Sequence, residues 1–199
     1  MRFKSLLVFA LLALAATPAY ATVILHLTLA QKAADAEAIV HGKVVSQSTL
    51  EEEGKIHTYT AIEVKEWLKG DGEPEIKIRQ LGGTLNGITQ KIAGDASFKI
   101  GEEVVLFLRP RGAYFTLTGL SQSKYAVIKD DKEQKRVLLN NSGVSLVEAP
   151  QGGDVALKKV PQERLYKGEP ADKFFERLNE ILNEPPVPLP PAYIKHKKP

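Results

Sequence analysis

The 199-residue chain has no cysteine and only one methionine and one tryptophan. The missing cysteine excludes a disulfide framework, a thiol nucleophile and an acylated lipobox, so a mature form must hold together on an ordinary hydrophobic core. Long apolar runs are also lacking: after the first residues nothing is long enough to cross a membrane as a helix. Neither a G-x-S-x-G elbow nor an H-E-x-x-H helix occurs. A surplus of one charge is missing too. Without Arg2 and Lys4 the 27 basic residues become 25 against 24 acidic ones, and without Lys195, Lys197 and Lys198 they become 22, a net of −2. Such a body has no basic footprint for nucleic acid.

What is there begins with an address. Arg2 and Lys4 precede an apolar run from Leu6 to Ala16, and Ala19-Tyr20-Ala21 supplies small-residue cleavage geometry, so residues 1–21 read as a signal peptide. The expected mature chain starts at Thr22 and is periplasmic or secreted.

Behind the signal, short apolar stretches alternate with Gly, Asn and Pro punctuation. Leu27 to Ala36 reads as a short helix, and Ala38 to Ser46 as a β-branched strand with a bend or close backbone approach at Gly42. An acidic turn, Glu51 to Gly54, joins it to Ile56 to Leu68, where Thr58, Thr60, Ile62 and Val64 share one face. Glu75 to Gln80, Val104 to Leu108, Tyr114 to Thr118 and Tyr125 to Ile128 add strands, and Asn86-Gly87 marks a tight hairpin. About seven strands are expected at barrel or sandwich spacing, with Lys135 to Leu139 as a further edge strand. Ala171 to Asn183 reads as an amphipathic helix with Phe174, Phe175, Leu178, Ile181 and Leu182 on its apolar stripe, stopped by Pro185-Pro186.

Three stretches carry a resemblance: Ala34-Asp35-Ala36-Glu37-Ala38-Ile39-Val40-His41-Gly42-Lys43-Val44, then Ile62-Glu63-Val64-Lys65-Glu66-Trp67-Leu68-Lys69-Gly70, then Gly101-Glu102-Glu103-Val104-Val105-Leu106-Phe107-Leu108. Over roughly Leu27 to Ile128 the chain resembles a group of uncharacterised exported bacterial proteins with a barrel similar to the OB-like domain of netrins and tissue inhibitors of metalloproteinases. The resemblance implies a mainly β fold, an OB-like barrel with a short N-terminal helix and a C-terminal amphipathic helix. With the residue patterns it gives residues 22–150 as the barrel, while the patterns alone give 151–184 as a loop and helix packed on it and 185–199 as a Pro-rich cationic tail. It also brings in a protease partner, because proteins of this kind are often encoded beside matrixin-like metalloproteases. In the eukaryotic inhibitors an N-terminal cysteine presents its amine and carbonyl to zinc; here Thr22 and Val23 stand in that segment, and with no disulfide they must be fixed by packing alone.

The residues point to binding rather than chemistry. Of the histidines His26, His41, His57 and His196, the expected hairpin register pairs His57 near Ser46 and His41 near Ile62, about 15 Å apart at ~3.3 Å per residue. At that distance they form no shared metal site. No catalytic, cofactor or metal residues are assigned. Gly82, Gly83, Ser121, Gln122 and Lys124 lie in polar, Gly-punctuated loops at strand ends and are the expected protein-binding loops. The partner expected first is another exported protein, a metalloprotease being the most specific candidate. The alternative is a structural or assembly component of the cell envelope, touching glycan through the Lys195-His196-Lys197-Lys198 tail.

Overall fold

The N-terminal strand β1 (Ile24–His26) runs directly into helix α1 (Leu29–Asp35). This computed structural model describes residues 24–129, 132, 134–139, 146–148, 158–159 and 168–191. Thr28 starts α1 with a capping box: its hydroxyl accepts from Gln31 N at 3.2 Å while Thr28 N donates to Gln31 Oε1 at 3.0 Å. That cap is why the helix begins two residues later than its apolar spacing suggests. At the other end, carbonyls without an intrahelical partner are met by Lys69 Nζ, 2.8 Å from Ala33 O and 2.6 Å from Ala36 O.

Two long strands follow, β2 (Ala38–Glu52) and β3 (Lys55–Lys69), joined by Glu53 and Gly54 alone. Both turn residues have positive φ, 52° and 72°, which suits a two-residue hairpin turn. The tight turn corrects the expected register: His57 pairs with Leu50, and His41 with Glu66. Nine residues of β2 separate these two positions, which is roughly 30 Å at ~3.3 Å per residue and twice the expected separation. Bulges between Ile39 and Val40, His41 and Gly42, and Val44 and Ser46 complete the shift. Gly42 sits at one of them with no room for a side chain, since a Cβ there would lie 2.6 Å from Glu63 O.

The chain continues as β4 (Glu75–Leu81), β5 (Gly83–Leu85), β6 (Ile88–Gln90), β7 (Glu103–Arg111) and β8 (Tyr114–Leu117). Asn86 and Gly87 turn β5 into β6 with φ of 50° and 79°, as the Asn-Gly pair demands. A 3-10 turn, Leu120–Ser123, leads to β9 (Lys124–Lys129) and β10 (Lys135–Leu139). The described remainder comprises β11 (Leu146–Glu148), β12 (Lys158–Lys159), β13 (Glu169–Pro170) and helix α2 (Ala171–Asn183).

The fold is mainly β. Its principal sheet has the order β13-β10-β9-β7-β2-β3-β4-β8, and β8 also pairs with β7, so five strands return on themselves as β2-β3-β4-β8-β7. The last joint is narrow: β4 and β8 run parallel and share one pair, Ile78 with Phe115. Inside the ring pack Val40, Val44, Ile62, Ile78, Leu106 and Leu108, with Ala96 and Phe98 from the segment before β7. Alternate residues point outward. Ile39, Val105, Phe107, Tyr125, Val127 and Val137 form a second layer under α1 and α2, where Phe174 and Leu178 are fully buried. Val104 to Leu108 is thus covered on both faces, which explains its unbroken apolar run.

α2 matches the bounds its periodicity suggests, with Phe175, Ile181 and Leu182 packed at the margin of that layer. Residues 185–191 after it are mostly exposed. No helix among the described residues is long and apolar enough to cross a membrane.

Candidate functional site

Four of the five expected loop residues are interior. Ser121, Gln122 and Lys124 are each 1% exposed, and Gly82 is buried while Gly83 is half-buried. The expectation of an open polar loop is corrected by a local reason: the side chains of Gln122 and Lys124 meet partners inside the protein, and Ser121 N donates to Gly94 O at 3.0 Å. Lys124 Nζ donates to both carboxylate oxygens of Glu102 at 2.7 Å and to Ser97 O at 2.6 Å, and lies 4.9 Å from the Phe98 ring centre. Burial pulls the Lys124 ammonium below its ordinary pKa, and Glu102 opposes that pull. This bond pins the segment that carries Ala96 and Phe98 into the ring. Gly82 and Gly83 have positive φ, and a Cβ on Gly83 would strike Thr58 Oγ1 at 2.3 Å, so these glycines are the joint that lays β5 against the β2–β3 hairpin.

Gln122 has a different task. Its Oε1 accepts from Leu27 N at 2.9 Å, and its Nε2 donates to Leu25 O at 2.8 Å, so one side-chain amide clasps the backbone on both sides of His26. Together with the parallel pairing of Ile24, Leu25 and His26 to Leu146, Val147 and Glu148, and with the buried Leu27 side chain, this fixes the N-terminal strand. Hydrogen bonds as well as packing thus hold Ile24–His26. Thr22 and Val23 lie outside the described residues, as do Asn140 to Gly143 and the cationic end of the tail.

The second feature, unmarked by any sequence motif, is a cleft of about 190 Å³ on the outer face of the long hairpin. Register builds it in rungs across β2, β3 and β4: Ser46, Ala61 and Lys77; then Ser48, Tyr59 and Arg79; then Leu50, His57 and Leu81. Tyr114 of β8 closes one side, its ring edge-on to Tyr59 at 5.0 Å. Tyr59 donates its hydroxyl to Glu52 Oε2 at 2.7 Å, and Arg79 reaches the same oxygen at 2.7 Å. The Tyr59 hydroxyl, then Arg79 and His57, draw the Glu52 carboxyl below its ordinary range, against some desolvation, while burial and then the Glu52 carboxylate push Tyr59 up to about 12. Period-2 alternation in Ser46, Ser48 and Leu50 was the available signal for this face, obscured by the bulge at Val45 that swaps the two sides of the strand.

Two more ionic groups sit under the helices. Glu103 gathers His41 Nε2 at 2.8 Å, Lys135 Nζ at 2.9 Å and Lys65 Nζ at 3.0 Å. Desolvation works to raise its carboxyl, but the hydrogen bonds from Lys135, Lys65 and His41 prevail and hold it at about 2. Lys32 of α1 is 1% exposed and has no carboxylate partner among the described residues; its Nζ donates to Tyr125 Oη at 2.6 Å. Burial, and then repulsion from Arg177, bring its pKa down to about 7, and burial raises the Tyr125 phenol. Among the described residues no three His, Cys, Asp or Glu side chains converge as a metal site would need.

No protein-family model matches this chain, and no characterised protein matches it in sequence.

Proposed function

We propose that the protein is an exported, non-enzymatic binding module on an OB-like barrel, and that its partner is another exported protein. The OB-like reading is supported by strand order: a β2-β3-β4 meander, β7 returning antiparallel on β2, and β8 antiparallel to β7 but parallel to β4 match a five-stranded Greek-key closure. The polar interior supports a scaffold rather than a reaction centre, because Lys124, Gln122 and Ser123 each bond to groups that hold loops in place.

The observation that carries the binding reading is the Gln122 clasp. It anchors the chain at Leu25 and Leu27, the fourth and sixth residues of the expected mature chain, so that Thr22 would be offered from a fixed base without a disulfide. A free α-amine and adjacent carbonyl on such a base are suited to the open coordination position of an exported zinc protease. The metalloprotease, as target or partner, is therefore the specific form of the proposal.

Its test is capture with the exported chain from the producer's envelope and medium, followed by an inhibition titration on any metalloprotease recovered. N-terminal sequencing should give Thr22, and Gln122→Ala should weaken inhibition while the sheet stays folded. Recovery of only glycan, membrane-associated proteins or the bait itself, with no metalloprotease, would replace this reading with that of an envelope component.

A further inference from the structure

We propose that the outer cleft of the β2–β3 hairpin binds a carboxylated sugar unit of an acidic glycan, independently of the N-terminal strand. The charge and hydrogen-bond inventory of the cleft decides the ligand class. Its own acid, Glu52, is already taken by Tyr59 and Arg79. What remains uncommitted are the hydroxyls of Ser46, Ser48 and Tyr114 and the ammonium of Lys77, none of which has a hydrogen bond or ion pair among the described residues. Three hydroxyls and one cation, set within a volume of about 190 Å³, ask for a compact ligand with several oxygens and a single negative charge.

The apolar elements fit the same guest. Tyr114 offers a ring steadied edge-on by Tyr59, and Leu50 stays 39% exposed at the other side of the cleft. A pyranose has a flat C–H face for such surfaces and hydroxyls around its rim for the serines, while a uronic acid adds one carboxylate for Lys77. Surrounding charge limits the number of acids. The next rung, Lys43, Glu63 and Glu75, brings two carboxylates to the same face, and neither pairs with Lys77. A phosphate monoester, with nearly two charges on the one group that would face Lys77, would meet that fence.

The exported chain would be titrated with a galacturonate tetramer and a hyaluronan hexamer, with a neutral galactose tetramer, and with a peptide carrying a free C-terminal carboxylate, following backbone amide shifts by NMR. Saturable binding of an acidic sugar is expected, with shifts centred on Ser46, Ser48, Ala61 and Lys77. The acidic sugar should bind about threefold or more tighter than the neutral one, the scale of one exposed charge pair. Lys77→Met should erase that preference, Tyr114→Ala should weaken both sugars, and Gln122→Ala should change neither. Failure of both acidic sugars to saturate, equal binding of acidic and neutral sugars, survival of the preference in Lys77→Met, or tighter binding of the peptide at the same amides would each overturn the proposal. Unchanged thermal unfolding of Lys77→Met, whose side chain is exposed, and amide shifts unchanged away from the cleft in Tyr114→Ala, which loses a ring contact with Tyr59, separate a lost site from a lost fold.

Discussion

The two apolar layers on either side of β7 are built on different terms. Inside the five-stranded ring the apolar cluster runs from Val40 and Ile62 to Leu106 and Phe98, and buried Lys124 meets it at the Phe98 ring with Glu102 as its carboxylate partner. Beneath the helices the layer includes the phenol of Tyr125, and Lys32 reaches into it from α1. A sheet that returns on itself satisfies its backbone groups internally, and the lysine beside its core is paired with a carboxylate. The outer layer joins separate elements, and there a directional bond sets how α1 sits on β9. Lys32 meets Tyr125 both at its hydroxyl and, at 4.7 Å, over its ring.

The contrast is broken most severely from the inside. Leu106→Ala is expected to cost about 2–5 kcal/mol, with Trp67 fluorescence and far-UV circular dichroism lost in one transition during urea unfolding. In the outer layer, Lys32→Met strands the Tyr125 hydroxyl and should cost about 1–3 kcal/mol, whereas Lys32→Met with Tyr125→Phe should recover most of that loss, because an apolar pair of similar shape leaves nothing unsatisfied. A double-mutant cycle in urea measures the difference.

pH sharpens the same comparison. Lys32 has its pKa lowered from 10.5 to about 7 in the folded protein. Between those values the unfolded chain holds a proton that the folded one has released, so stability should rise as pH increases from about 7 toward the ordinary lysine range and be flat in this component below that window. The double variant should lose that rise, read as the shift in urea midpoint between the two ends of the window. The smallest effect is expected at the margin of the outer layer. Glu103 has its pKa lowered from 4.5 to about 2, so its contribution is complete above 4.5 and fades as pH falls toward and through 2. Glu103→Gln should flatten that part of the acid-unfolding profile.

Sequence patterns reached the elements more readily than their placement. Helix α2, the Asn86-Gly87 hairpin and the doubly covered run Val104 to Leu108 follow from local periodicity and turn chemistry, and each appears where those rules put it. Register did not follow, because the bulges in β2 change which residues face inward and no residue type announces a bulge except Gly42. The candidate site failed for another reason. Ser121, Gln122 and Lys124 look like solvent residues until Gly94, Glu102, Ser97, Leu25 and Leu27 are brought in from other parts of the chain. Lys32 was hidden in the same way: helical spacing placed it on α1, but only tertiary packing buried it.

The seam between β4 and β8 has a bearing on how the molecule comes apart. Elsewhere the ring is stitched by runs of paired residues, but here a single backbone rung is flanked by two ring contacts, Trp67 with Phe115 and Tyr59 with Tyr114. The sheet is thus buttoned rather than sewn at this one place. Its aromatic buttons set the ease of opening there, and one of them, Tyr114, also forms a side of the proposed sugar cleft. A guest held against Tyr114 would brace the joint, so that filling the proposed cleft would also favour closure of the ring.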